Sequence, residues 1–111
     1  MSVDTVKNYA DLLAEGIKTK QFDSLLDAFS SSFEVKAKVM GKSYEFSEKE
    51  KLTKFLNNMP NGLSVDVNKI LDNEDASYTA KVAMGMGFMK MPGKWTLKLD
   101  TDNKISFLEI K

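Results

Sequence analysis

The sequence predicts an α+β domain in which a few amphipathic helices pack on a strongly curved antiparallel sheet. Near the start of the chain, apolar residues recur every three or four positions, which indicates helices. From Phe33 they alternate with polar residues, and the second half of the chain has the pattern of strands separated by turn residues. A run of helices followed by strands is typical of an α+β layer fold. Because the chain has 111 residues, we expect one domain over 1–111.

Three helices are predicted from apolar stripes. The first spans Val3 to Lys18, with Ser2 or Asp4 as its cap, and the second follows at once. Ser47 and Glu50 have the spacing of a capping box and predict the start of a third helix, which stops at Pro60. The stripes are Val6, Tyr9, Ala10, Leu13 and Ile17, then Phe22, Leu25, Leu26 and Phe29, then Leu52, Phe55, Leu56 and Met59.

The strands are predicted from alternation and from turn residues. The first starts at Phe33 and buries Phe33, Val35, Ala37 and Val39, while Glu34, Lys36, Lys38 and Met40 face water. Gly41-Lys42 is predicted to be a turn. The later strands are expected at Leu63–Leu71, Ser77–Met91, Lys94–Asp100 and from Lys104 onward, with turns at Asp72–Asp75, Pro92-Gly93 and Asp102-Asn103.

The composition excludes several classes of function. Sixteen basic residues, all of them lysine, balance sixteen acidic residues, so nothing indicates a nucleic-acid partner. The absence of cysteine and histidine argues against disulfides, thiolate chemistry and zinc, and we expect no metal and no cofactor. We find no apolar run of signal-peptide or membrane-span length, and expect a cytoplasmic protein without a membrane partner.

A family resemblance follows from three segments: YADLLAEGIKTKQFDSLLDAF, the alternating FEVKAKV, and the ending KWTLKLDTDNKISFLEIK. Over nearly its whole length the chain resembles the nuclear transport factor 2-like superfamily, also called SnoaL-like or ketosteroid isomerase-like. The resemblance implies a cystatin-like cone, in which a long curved sheet of antiparallel or mixed strands wraps around about three N-terminal helices and leaves a cavity. It also implies a homodimer formed through the sheet. The superfamily includes isomerases, dehydratases, epoxide hydrolases, cyclases and binding modules, so the fold does not decide the function.

The catalytic positions of the related enzymes are apolar in this chain. The resemblance places Leu13, Ala37 and Trp95 where isomerase-type members have a tyrosine, an aspartate base and a second acid. Dehydratase-type members depend on histidine, and the epoxide hydrolases combine aspartates with an arginine; the chain has neither His nor Arg. Tyr9 lies one helical turn before Leu13 and could partly replace the lost hydroxyl, or be a core aromatic with a hydrogen-bonded tip.

Strand parity separates most charged residues from the core. Asp66 and Glu109 are predicted to point outward. Lys69 and Lys90 share parity with apolar neighbours, so each is either a desolvated nucleophile or, as we prefer, a strand-end lysine whose ammonium reaches water.

The segment VAMGMGFMKM, residues 82–91, combines four methionines with Gly85 and Gly87. It is typical either of an adaptable apolar pocket wall, with the even-numbered side concave, or of a methionine-filled core or dimer face. Trp95 is predicted to point inward with Leu97 and Leu99, either as the wall of a ligand site with one donor or as a core residue.

These observations predict a non-catalytic protein that binds a small apolar ligand inside the cone. Two alternatives stay open. One is a homodimeric interaction module with a vestigial pocket, and the other is an isomerase or cyclase that uses Tyr9, Tyr78 or a lysine. The predicted ligand-binding residues are Tyr9, Leu13, Val35, Ala37, Phe55, Met59, Val82, Met84, Met86, Trp95 and Leu97.

Overall fold

The computed structural model of the chain describes residues 2–39 and 41–111. The helices are α1 (Ser2–Thr19), α2 (Asp23–Asp27) and α3 (Lys49–Asn57). The strands are β1 (Phe29–Val39), β2 (Lys42–Phe46), β3 (Ser64–Asp72), β4 (Ser77–Met86), β5 (Met89–Leu99) and β6 (Ile105–Ile110). Met40, predicted to face water, lies outside the described residues, as does the side chain of Ser2, one of the two predicted caps.

The six strands form one mixed sheet in the order β2-β1-β6-β5-β4-β3. β1 and β6 run parallel, and every other neighbouring pair is antiparallel. The sheet curves around α1, so the predicted α+β cone is confirmed.

The core lies on the concave side of the sheet. Ala80 and Val82 on β4 are directly opposite Trp95 and Gly93 on β5, and paired residues share a face. Ala80, Val82 and Trp95 are buried. The even-numbered side of β4 therefore faces the helices over this stretch, as predicted.

A bulge in β3 turns Lys69 away from the core. The register with β4 shifts between Val67 and Lys69, so that Asn68 is an extra residue. Val67 is opposite Val82 and Ile70 is opposite Ala80, while Lys69 is opposite Lys81 on the outer face. The prediction that Lys69 lies on the same face of the sheet as Val67 was therefore wrong, because it assumed an uninterrupted strand.

The predicted strand Ser77–Met91 is two strands joined by Gly87-Phe88. Met86 is directly opposite Met89, and Gly87 has a φ of 61°, which lets the chain reverse in two residues. The turn predicted at Pro92-Gly93 was wrong, since both residues lie within β5.

Other boundaries also differ. β2 was not predicted, and β1 starts at Phe29, which had been assigned to the second helix. The capping box at Ser47 and Glu50 was wrong: the residue before α3 is Glu48, and its side chain makes no capping hydrogen bond. Nor is Asp4 a cap, because α1 already starts at Ser2 and places Asp4 in the first turn.

Lys20 fixes the position of α3 relative to α1. Its backbone N–H donates to the Gly16 carbonyl at 2.8 Å and closes α1, in a left-handed conformation with φ of 63°. Its ammonium donates to the Leu56 carbonyl at 3.1 Å, in the last turn of α3, and to the Met59 carbonyl at 2.7 Å, just beyond that helix. One residue therefore caps both helices.

Candidate aromatic groove

Six of the predicted ligand-binding residues belong to the packed core. Leu13, Ala37 and Trp95, at the family's catalytic positions, are 2%, 3% and 0% exposed. Val35, Val82 and Leu97 are equally buried and belong to the same cluster. The structure brings these side chains together, and they pack against one another.

The indole nitrogen of Trp95 is unsatisfied. In the part of the chain that the structure describes, no acceptor lies within hydrogen-bond distance of this buried Nε1. Trp95 lies between Ala80 and Ile110 in the sheet, so its strand neighbours offer only apolar side chains. A buried donor without a partner costs about 1–3 kcal/mol.

Tyr9 lies beside the β5–β6 turn. Its hydroxyl donates to the Asn103 carbonyl. Burial, and secondarily the negative charge of Asp100, raise the pKa of Tyr9 above its ordinary value. Tyr9 therefore has the hydrogen-bonded tip of the core-aromatic interpretation, and Tyr78 is half-buried opposite Leu97.

The predicted lysine candidates lie on the outer face. Lys69 is exposed, and Lys90 pairs with the Asp66 carboxylate. Glu109 pairs with Lys111 at 3.5 Å. These contacts agree with the outward direction predicted for Asp66 and Glu109.

An open groove of 540 Å³ lies between β2, the end of β1 and α3. Three rings form its aromatic wall, with centroid distances of 5.2 Å for Tyr44–Phe55 and 5.0 Å for Phe46–Phe55. Tyr44 is 36% exposed, so the wall is open to a ligand. The lining is Val39, Tyr44, Glu45, Phe46, Lys51, Lys54, Phe55, Asn58, Met59 and Pro60.

Sequence reasoning identified only Phe55 and Met59 of this groove. It missed Tyr44 and Phe46 because β2 was not predicted. The two aromatic residues alternate with polar ones after Gly41, a strand signal that could have found them.

The remaining predicted residues, Met84 and Met86, lie on the β4–β5 hairpin. Met84 is opposite Met91 and Met86 is opposite Met89, so the four methionines share the concave side of the hairpin. Met84 packs against the core, whereas Met86 is half exposed and its Cε lies near Gly62, just beyond α3.

Two further properties bear on the function. No helix within residues 2–39 and 41–111 is both long and apolar enough to cross a membrane. Over the same residues, no three carboxylates converge in a way that could hold a metal ion.

Comparisons with known proteins identify the fold. No protein-family model and no curated protein matches the sequence. The structure is similar to an NTF2-like protein from Anabaena variabilis, with a TM-score of 0.78 and 13% identity over 99% of this chain and 87% of the other. It is similar to SalBIII, an epoxide hydrolase/cyclase-like enzyme of pyran ring formation in the polyether salinomycin, with a TM-score of 0.76 and 14% identity over 98% and 88%. It is also similar to an NTF2-like protein of unknown function from Cytophaga hutchinsonii, with a TM-score of 0.70 and 10% identity over 95% of this chain and 87% of the other. The chain therefore has the nuclear transport factor 2-like fold, which enzymes and proteins of unknown function share.

Proposed function

We propose that this protein binds a small apolar molecule, without catalysis, in the groove between β2 and α3. The observation that carries the proposal is the wall of Tyr44, Phe46 and Phe55, three rings in contact that stay open to solvent beside a cavity of 540 Å³. Ligand sites are typically concave, lined by aromatic and apolar side chains, and bounded by a few polar groups.

The proposed site includes only part of the predicted lining. Phe55 and Met59 would contact the ligand directly. The buried residues Leu13, Val35, Ala37, Val82, Trp95 and Leu97 would reach it only if the core opened toward the groove. Their role in binding remains a prediction.

The test is a titration with a neutral aromatic probe, naphthylmethanol, followed by amide chemical shifts. We expect saturable shifts in β2 and α3 for the native chain, and at least tenfold weaker binding after Tyr44→Ser. Phe88→Ser is the matched control, because it removes an exposed ring that does not line the groove. No saturable shifts, or equal loss in both variants, would refute the proposal.

A second candidate is a homodimer formed by the β4–β5 hairpin. Met86, Phe88, Met89 and Met91 are 51%, 97%, 70% and 75% exposed, and a cluster of exposed large apolar side chains indicates an interaction surface. Within residues 86–91 the only charged residue is Lys90. It pairs with Asp66, so no unpaired charge of this segment would oppose a second copy.

Sedimentation velocity at increasing protein concentration tests this candidate. We expect a concentration-dependent dimer that Phe88→Asp abolishes, while the exposed Val3→Asp leaves it intact. A native chain that stays monomeric to near-millimolar concentration would contradict the homodimer.

A further inference from the structure

The charged residues of the aromatic groove are not equivalent. The Glu45 carboxylate lies 3.8 Å from the Lys36 ammonium, and the Lys51 ammonium lies 3.4 Å from Glu48. Lys54 is the exception: among the residues that the structure describes, no carboxylate lies within ion-pair distance of its ammonium. Within the described residues, the groove therefore has one cation without a counterion.

Helical spacing places this cation next to the aromatic wall. Lys51, Lys54, Phe55 and Asn58 follow the i, i+3, i+4, i+7 pattern of one helix face, and all four line the groove. Lys54 is thus adjacent to Phe55, whose ring contacts both Tyr44 and Phe46.

The end of α3 does not use the Lys54 ammonium. A lysine near a helix C-terminus often binds the last carbonyls. Here the carbonyls of Leu56 and Met59 accept from Lys20 instead. Lys54 is therefore available to a ligand.

We propose that the groove selects an amphipathic carboxylate. Its apolar body would lie on Tyr44, Phe46 and Phe55, and its carboxylate would pair with the Lys54 ammonium. This inference rests on the proposed function and adds the chemical class of the ligand. Because Lys54 is exposed, the pair contributes about a two- to fivefold preference over a neutral ligand of the same shape, the range of exposed ion pairs.

The test compares naphthoate with naphthylmethanol, two probes that share the ring system and differ in charge. At low ionic strength we expect the native chain to bind naphthoate two- to fivefold more tightly, with the preference reduced by added salt. Lys54→Gln should abolish the preference, and it should weaken the binding of naphthoate more than the binding of the alcohol.

Lys51→Gln is the matched control, since it removes a lysine of the same helix face that is already paired with Glu48. It should leave most of the preference intact. Equal affinity of both probes for the native chain, or a preference that survives Lys54→Gln, would refute this inference and leave the apolar site standing. Failure of both probes to bind would refute the proposed function and this inference with it.

Discussion

Lys20 shows how a single side chain can position the candidate site. Its ammonium donates two hydrogen bonds, one to the Leu56 carbonyl in the last turn of α3 and one to the Met59 carbonyl just beyond it, and Phe55 and Met59 line the groove. Lys20→Met removes both bonds. We expect a decrease of about 2 kcal/mol in the free energy of unfolding, because hydrogen bonds to charged groups contribute roughly 1.5–3 kcal/mol.

Lys20→Gly separates this contribution from the backbone conformation. It also removes the ammonium, but glycine adopts the φ of 63° without steric cost. Urea denaturation should therefore place Lys20→Gly between the native chain and Lys20→Met. A glycine variant less stable than the methionine variant would contradict this account.

The unsatisfied indole of Trp95 leads to a second prediction. Trp95→Phe leaves a small cavity but removes a buried donor that lacks a partner, and the two effects oppose each other. We expect a change of less than about 1 kcal/mol, whereas Leu97→Ala on the same strand should cost about 2–5 kcal/mol. A large loss for Trp95→Phe in denaturation experiments would mean that the indole has an acceptor in solution.

Sequence reasoning was most accurate for individual buried residues. Parity placed Trp95 and Leu97 inward and Asp66 outward, since side chains alternate strictly along an undisturbed strand. It placed Leu13, Ala37 and Trp95 in one site but could not foresee that they are buried in a packed core, because the space left inside the sheet depends on the curvature of the whole sheet.

Among the secondary-structure elements, β3, β4 and β5 carry a row of like charges on the outer face. Lys69 is directly opposite Lys81, which is directly opposite Lys94. Within the described residues, no carboxylate lies within ion-pair distance of the three ammonium groups, and like charges directly opposite destabilise a sheet.

Lys81→Glu would convert two repulsive pairs into two attractive ones. We expect the free energy of unfolding to rise by about 1 kcal/mol, with roughly half of the gain from Lys81→Gln. The gain should shrink at high salt in thermal or urea denaturation. No difference between the glutamate and glutamine variants would show that the row has no electrostatic cost.

The β5–β6 turn should contribute to acid sensitivity. The Asp100 carboxylate accepts from the backbone N–H of Lys104 and Asp102, both at 2.9 Å. The Lys104 N–H, followed by the Ser30 hydroxyl, holds the pKa of Asp100 below its ordinary value.

A carboxyl whose pKa is lower in the folded state stabilises the fold above its unfolded pKa of about 3.9 and loses that effect as the pH falls through the folded value. We expect the stability of the native chain to fall below about pH 4. Asp100→Asn should flatten that decline without altering the region above pH 5, apart from a constant offset. An identical acid decline in both proteins would assign it to other carboxyls.

The elements that sequence reasoning missed have physical causes. β2 has five residues, and a turn was predicted at Gly41-Lys42 over its start, so the short alternation of Tyr44 and Phe46 with polar residues was overlooked. The turn between β4 and β5 was misplaced because Pro92-Gly93 is a stronger local turn signal than Gly87-Phe88. Pairing of Met86 with Met89 decides the register, and that contact is not visible in local composition.

At the scale of the whole molecule, the sheet has a centre in which each strand is paired on both sides and a β4–β5 hairpin whose tip lacks further partners. The middle of β5 lies between β4 and β6, with Trp95 opposite both Ala80 and Ile110. Toward the tip, β3 pairing ends at Gly85, and the part of β5 before Lys94 pairs only with β4. The same sheet thus contains a strongly supported centre and a weakly supported hairpin.

Hydrogen exchange should follow this division. The slowest amides should lie in β4, β5 and β6 around Trp95, where exchange requires global unfolding, and the fastest strand amides should lie near Phe88 at the hairpin tip. Lys81→Glu should slow the central amides further and leave the tip unchanged, because it raises only the global free energy of unfolding. Protection of the tip that increases with protein concentration would instead indicate that a second copy covers Met86, Phe88, Met89 and Met91. A tip that is as strongly protected as the centre of the sheet at every concentration would contradict a free hairpin.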